Sequence, residues 1–315
     1  MVGQLARLRS VLSIGKLAGS PEAGRYYTDA VAKGREDYYQ GSGEAPGAWH
    51  GHGAQQLGLD GRVDDEPFMA VLAGNRPDGG GKLRSSTGPS RLAGFDLTFS
   101  APKSVSILFG VSEPTVAAAV REAHDEAVGQ ALGYMEREAT FTRRGTNGRQ
   151  VVRGGGLVVA SFRHRTSRAG DPQLHTHAVV ANTTFADGRW STLDGRVILA
   201  HAKTAGYLYK AALRHELTER LGVQWSDVIH GSAELQGVSR EVIEHFSRRR
   251  LEIEERMAER GDQGPKAADA AALDTRKRKD YAVPVDRLRA EWRARAAEHG
   301  LTADRLERLL EHRSV

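Results

Sequence analysis

The sequence predicts a mixed α+β fold, with a sheet-and-helix core over residues 1–222 and a helical appendage over 223–315. Three observations carry this. Residues 94–99, 157–164 and 174–182 have strand character, and the first alternates cleanly: Phe95, Leu97 and Phe99 point one way, Asp96 and Thr98 the other. Long helical stretches accompany them, one opened by Ser112-Glu113-Pro114 and running to about Arg137, the other over 202–221. After about Val223 the character changes to charged helices, the first over 239–260 with Val242, Phe246, Ile253 and Met257 along one stripe.

The remaining elements follow from local chemistry. Val11-Leu12-Ser13-Ile14 reads as a short strand, and a helix is expected from about Pro21, carrying Tyr26-Tyr27 and Tyr38-Tyr39. Residues 40–53 and 74–90, rich in Gly, read as loops. The strands 157–164 and 174–182 are separated by a loop ending in Gly170-Asp171-Pro172, so they are expected to be an antiparallel hairpin or near neighbours. Residues 190–193 form a short strand. Residues 261–283 read as a Gly/Ala-rich linker with the basic run Arg276-Lys277-Arg278-Lys279, a solvated run rather than a DNA contact. Two more helices, near 284–298 and 302–311, end the chain.

Composition bounds the chemistry. Of 315 residues, 39% are hydrophobic and 27% charged, as in soluble globular chains. The formal charge of +5 is compatible with a polyanionic partner. The absence of cysteine excludes disulfides, iron–sulfur clusters, thiolate zinc sites and cysteine nucleophiles. No apolar run approaches the roughly 20 residues that span a bilayer. Arg7, Arg9 and Lys16 interrupt the apolar N-terminal residues, so no signal-peptide core is expected and the cytoplasm is the expected location.

One cluster stands out. In a strand over 174–182, His175 and His177 share a face, one pleat apart, and His164 at the end of the preceding strand can supply a third imidazole. Three imidazoles leave open positions on a bound ion, as catalytic sites require. Arg163, Arg165 and Arg168 are expected to add positive charge around it, which favours a phosphate ligand. His50 and His52 mimic the spacing but sit among glycines in a loop and read as non-ligands. Without cysteine, the nucleophile is water, Ser, Thr or Tyr. Four of the eight tyrosines fall in the fourteen residues 26–39, and composition alone favours packing as their role.

These motifs resemble a known family. His164-Arg165-Thr166-Ser167-Arg168, followed by Asp171-Pro172-Gln173-Leu174-His175-Thr176-His177-Ala178-Val179-Val180-Ala181-Asn182, resembles the histidine motif of the MobF-type conjugative relaxases, members of the HUH endonucleases. Gly94-Phe95-Asp96-Leu97-Thr98-Phe99-Ser100-Ala101-Pro102-Lys103-Ser104-Val105-Ser106 resembles their aspartate motif. Tyr26-Tyr27 and Tyr38-Tyr39 resemble the N-terminal tyrosine motif, and Gly53-Ala54-Gln55-Gln56-Leu57-Gly58-Leu59 the segment after it. The resemblance covers about residues 11–222 and, more loosely, the rest.

The resemblance implies a central antiparallel sheet flanked by helices, with C-terminal helical fingers closing over DNA. It implies site- and strand-specific nicking at an origin of transfer, with a tyrosine attacking the scissile phosphate to give a 5′-phosphotyrosyl strand and a free 3′-hydroxyl. Tyr26 is the first choice for that nucleophile and Tyr27 the next, with Tyr38 or Tyr39 serving a second transfer. The phenol, with a free pKa of roughly 10, needs a nearby cation or base. Asp96 is expected to orient a ligand histidine, or else to help remove the phenolic proton. Arg168 and Lys103 are expected to bind DNA.

The implied cofactor is one divalent ion, Mg²⁺ or Mn²⁺ in function, although imidazoles also suit Zn²⁺ or Ni²⁺. The implied partners are single-stranded and duplex DNA at the origin and accessory relaxosome and coupling proteins, with the chain a monomer and not inserted in membrane. The family usually carries a helicase behind the relaxase. Gly79-Gly80-Gly81-Lys82-Leu83 lacks the hydroxyl residue of a phosphate loop, so the chain is expected to be a fragment of a longer protein. Competing readings are a rolling-circle replication initiator, disfavoured by the long flanking motifs, a catalytically silent origin-binding module, and a metal-dependent hydrolase using water.

Overall fold

The computed structural model describes residues 12–18, 47–84, 91–275 and 285–310. A five-stranded antiparallel sheet forms the centre, in the order β1-β3-β7-β6-β2. Its strands are β1 (Ser13–Ala18), β2 (Ala48–His50), β3 (Leu92–Ser100), β6 (Val159–Thr166) and β7 (Pro172–Ala181). The mixed fold and the central sheet are as expected. β6 and β7 form the predicted hairpin, with His164 directly opposite His175. β7 is the middle strand and pairs with β3, so that Thr98 lies opposite His177 and Ser100 opposite His175.

The two faces of the sheet are covered unequally. On one face, Phe95, Leu97, Phe99, Leu174, Ala178 and Val180 are buried beneath two long helices, α4 (Pro114–Ala139) and α5 (Gly195–Leu221). Ala117, Ala123, Ala127 and Ala131 on α4 and Ala202 and Ala205 on α5 are buried in this layer; side chains this small let helices and sheet approach closely. On the other face, among the described residues, α1 (His52–Gln56) and α2 (Asp65–Ala73) cover only part of the sheet. There Trp49, Phe68 and Val71 pack on Val158, Ala160, Phe162, Val179 and Ala181, with Phe68 and Phe162 edge to face at 5.3 Å. Period-2 alternation continues that buried row directly into His164 on β6 and into His177 and His175 on β7.

Several elements depart from the sequence expectations. Residues 40–53 are not all loop, because Trp49 buries its ring beside Phe68 and draws 48–50 into the sheet as β2. Helix α5 starts at Gly195, seven residues before the expected 202, where the Asp194 side chain caps the Arg196 N–H. The expected helix over 239–260 is two helices, α6 (Arg240–His245) and α7 (Arg248–Arg260), separated where Phe246 turns into the core. The expected linker contains α8 (Pro265–Asp274), with Pro265 in its first turn. Unforeseen elements are α2, α3 (Lys103–Val111) and a ribbon of β4 (Phe141–Arg144) with β5 (Gln150–Arg153). The short strand near 190 is β9 (Arg189–Ser191), which pairs with β8 (Thr184–Ala186) outside the central sheet.

Beyond residue 222 the chain packs back onto the core. Phe246, together with Trp292 and Ala296 of α9 (Val285–Glu298) and Leu309 of α10 (Ala303–Leu310), joins the apolar layer that contains α3 and α4. The Glu234 carboxylate accepts from the Ser104 N–H at 2.9 Å and its hydroxyl at 2.7 Å. The fully buried Asp171 carboxylate accepts from the Arg248 backbone N–H at 3.0 Å, Arg248 Nε at 2.8 Å and Arg295 Nη2 at 3.2 Å. One carboxylate in the β6–β7 turn therefore holds the starts of α7 and the body of α9.

Candidate metal centre

The part of the second sheet face that α1 and α2 leave uncovered among the described residues carries the histidines. Ring centres are 5.3 Å apart for His164–His175, 5.5 Å for His164–His177 and 5.3 Å for His175–His177. His164 is buried, and the side chains of His177 and Asp96 are only 18% and 12% exposed, so the cluster is recessed. The hydrogen bonds define the tautomers of two rings. His175 donates through Nδ1 to the Gln173 carbonyl at 2.8 Å, and His177 Nδ1 meets both Asp96 oxygens, at 2.8 and 3.1 Å. A carbonyl and a carboxylate accept only, so Nδ1 holds the proton in both rings and Nε2 carries the lone pair. Thr98 completes the bracing, with Oγ1 at 3.2 Å from His177 Nδ1 and donating to Asp96 at 3.4 Å.

Two imidazoles bound to one ion through nitrogens at about 2 Å have ring centres roughly 4.5–5.2 Å apart. The observed spacings exceed that range slightly. Accordingly, among the described residues no three His, Asp or Glu side chains already place their donor atoms within reach of one ion. The difference is a few tenths of an ångström, which small inward ring rotations remove. The donor set, its fixed tautomers and its carboxylate brace fit a divalent ion.

Other expected site residues lie elsewhere. Tyr26, Tyr27, Tyr38, Tyr39 and the run 276–279 fall outside the described residues. Lys103 is half-buried and donates to the Pro172 carbonyl at 3.0 Å. Burial lowers its pKa to about 8, against the opposing pull of Asp171 and Glu234. Arg168 sits in the turn between β6 and β7, half-buried. Arg163 does not crowd the histidines: the strand pleat turns it to the opposite face, where it pairs with Asp125 of α4. Arg165 is buried, and Arg289 on α9 feels its charge. His50 bonds Ser161 Oγ at 2.7 Å and His52 bonds Glu136 at 2.9 Å, so each has a protein partner and neither joins the cluster.

Sequence reasoning missed a second layer behind the cluster. His124 of α4 is fully buried, with Nδ1 at 2.8 Å from the Tyr209 hydroxyl and Nε2 at 2.8 Å from Thr176 Oγ1. Burial, and secondarily Arg163 and Lys210, lowers its pKa to about 3, so the ring is neutral at ordinary pH. The unfolded chain then binds more protons than the folded one between about 3 and 6.5, so the folded state carries no protonation penalty above 6.5 and a growing one as pH falls toward 3. At about 1.4 kcal/mol per pKa unit the span is worth roughly 5 kcal/mol. Urea unfolding at pH 7 and pH 4.5 is expected to show a large loss of stability at the lower pH, smaller in His124→Gln. Equal pH dependence of the two proteins would contradict this.

Residues 20–299 match the TrwC relaxase family. The chain belongs to that family. This relaxase chain is 41% identical over 303 residues to the multifunctional conjugation protein TraI of Escherichia coli, a match covering 91% of the chain but 16% of the relative. It thus spans about a sixth of the length of such relatives. Among solved structures, a copper-bound complex of the conjugative relaxase TrwC with oriT DNA is 38% identical, covering 92% of this chain and 98% of the chain in that structure, with a TM-score of 0.81. A metal-free TrwC–oriT complex is 37% identical, with the same coverages and a TM-score of 0.77. The similarity therefore extends from the sheet through the helices that follow residue 222.

Proposed function

We propose that this chain nicks one DNA strand at a plasmid origin of transfer and holds it as a 5′-phosphotyrosyl intermediate, initiating conjugation. The observation that carries the reading is the His164–His175–His177 cluster braced by Asp96, in a chain alike over 92% of its length to a relaxase solved on oriT DNA. In the proposed reaction the phenolic oxygen of Tyr26, or of Tyr27, bonds to the scissile phosphorus as the bond to the 3′ oxygen breaks. The phenol loses its proton and the departing 3′ oxygen gains one. The phosphodiester energy is retained, so a second attack rejoins the strand; Tyr38 or Tyr39 is assigned a second transfer.

When bound, a divalent ion supplies charge neutralisation and orientation of the phosphate. Mg²⁺ or Mn²⁺ is the proposed ion in function. Three imidazoles also bind later first-row ions tightly, which accords with the copper found in TrwC. His164, His175 and His177 would hold the ion, and Asp96 keeps His177 Nε2 turned toward it. A cleft of about 470 Å³ lies at the sheet end that carries Ser100 and Gln173, with Phe246, Arg249, Ile253 and Met257 lining its helical side. Its lining sets the cations Lys103, Lys210, Arg249 and Arg250 beside the carboxylates Asp171, Glu234 and Glu254; the apolar and cationic parts suit stacked bases and a phosphate backbone, which supports a single-stranded path. Arg168 at the neighbouring turn is assigned a backbone contact; the Pro172 bond of Lys103 supports a structural role in place of a DNA contact. No helix among the described residues is long and apolar enough to cross a membrane. We assign the chain to the cytoplasm as a monomer working with relaxosome and coupling proteins.

The test is a denaturing gel after incubation with Mn²⁺ and an oligonucleotide spanning an origin nick site. A covalent protein–DNA adduct lost in Tyr26→Phe is expected. Cleavage without an adduct would instead establish a hydrolase, and tight binding without cleavage a silent module. An adduct that survives Tyr26→Phe but not Tyr27→Phe or Tyr38→Phe would reassign the nucleophile alone.

A further inference from the structure

The helix-covered face of the sheet is largely apolar, and a buried polar group sits on it directly behind the histidine cluster. Thr176 lies between His175 and His177 on β7 and points to the opposite face, where its hydroxyl meets His124 at 2.8 Å. His124 is in turn held by Tyr209 of α5 at 2.8 Å, with the two rings edge to face at 5.5 Å. Neighbouring bonds converge on the same stretch. Lys210 donates to the carbonyl of Ser100, the residue paired with His175, at 2.6 Å, and Ser106 Oγ accepts from the Leu174 N–H at 3.1 Å.

Burying such groups is costly unless each finds a partner, and an apolar trio of the same shape could fill this volume with similar stability. What polar bonds add is position, since each fixes a distance and a direction where apolar packing tolerates sliding. A metal ligand must be held to within about half an ångström. Thr176 shares backbone with both β7 histidines, so a shift or tilt at Thr176 moves both rings. We propose that His124, anchored by Tyr209, is a positioning residue that locks Thr176 and thereby sets the spacing of His175 and His177. It acts through the strand and touches neither DNA nor ion.

This inference rests on the metal reading of the cluster. It is tested by titrating Mn²⁺ into the intact chain by calorimetry, with thermal unfolding measured in parallel. Thr176→Val keeps the shape and strand propensity but removes the hydroxyl. It is expected to weaken Mn²⁺ binding about tenfold, the scale seen when an outer-shell partner of a metal ligand is lost, while Thr176→Ser restores binding. Affinity within twofold of the parent would overturn the inference and leave the network as a core bond only. If Thr176→Val does not fold, Tyr209→Phe carries the test by the same criterion, since it removes one hydroxyl from the anchor. His175→Ala separates the two claims: it is expected to abolish binding, and unchanged affinity there would defeat the metal reading itself.

Discussion

Asp171→Ala is expected to destabilise the protein by about 3–5 kcal/mol, the range for breaking a buried ion pair by removing one partner. Asp171 is fully buried and accepts from the Arg248 backbone, the Arg248 side chain and the Arg295 side chain. Truncation leaves two guanidinium groups behind. Arg248 is 45% exposed and can turn to water, but Arg295 is 14% exposed and lies over the Phe246 ring at 4.6 Å, where it would keep only the longer ion pair to Glu291 at 3.5 Å. Asp171→Asn should cost less, because the amide keeps one acceptor and most of the volume. At roughly 2 °C per kcal/mol for a chain of this size, the alanine variant should melt about 6–10 °C below the parent. A drop of under 2 °C would show that the helical segment docks through its apolar contacts alone. The position also predicts a functional correlate: with α7 loosened from the β6–β7 turn, the wall of the cleft formed by Arg249, Ile253 and Met257 loses its anchor, so single-strand affinity should fall together with stability.

The parts of this site that could be read from sequence are those set by strand periodicity. Alternation put His175 and His177 on one face and Asp96 with Thr98 on another strand's face, and both pairings hold because the pleat is a local property. The hairpin reading placed His164 beside them, and the register sets it opposite His175. The same rule, applied evenly, would have turned Arg163 away from the cluster. Elements were missed where a single residue overrides composition. Trp49 sits among glycines but is buried, and Asp194 and Pro265 start helices inside segments that look irregular. His124 was out of reach for a different reason. On its own helix it is one polar residue in an alanine stripe, and its partners lie 52 and 85 residues away, joined only by the packing of α4 and α5 on β7.

Asp96 should be the second residue of large effect, and its geometry separates two roles. As an orienting group it holds the proton on His177 Nδ1, fixes the ring and makes Nε2 a stronger ligand. Asp96→Ala is then expected to weaken Mn²⁺ binding by about 10- to 100-fold, and Asp96→Asn by less, since an amide oxygen still accepts the Nδ1 proton but lacks the charge. Nicking measured at limiting Mn²⁺ should fall in proportion, and raising the Mn²⁺ concentration should restore much of it. As a base for the phenolic proton, Asp96 would give the opposite pattern: affinity would be unchanged, the rate at saturating Mn²⁺ would fall, and its rise with pH would be displaced. Both carboxylate oxygens lie within 3.1 Å of His177 Nδ1, and Thr98 donates to one of them. With its oxygens committed to Nδ1–H and to a hydroxyl, the carboxylate is poorly placed to receive a third proton without releasing the histidine. The orienting role therefore predicts rescue by metal, and a rate that excess Mn²⁺ fails to restore in Asp96→Asn would overturn it.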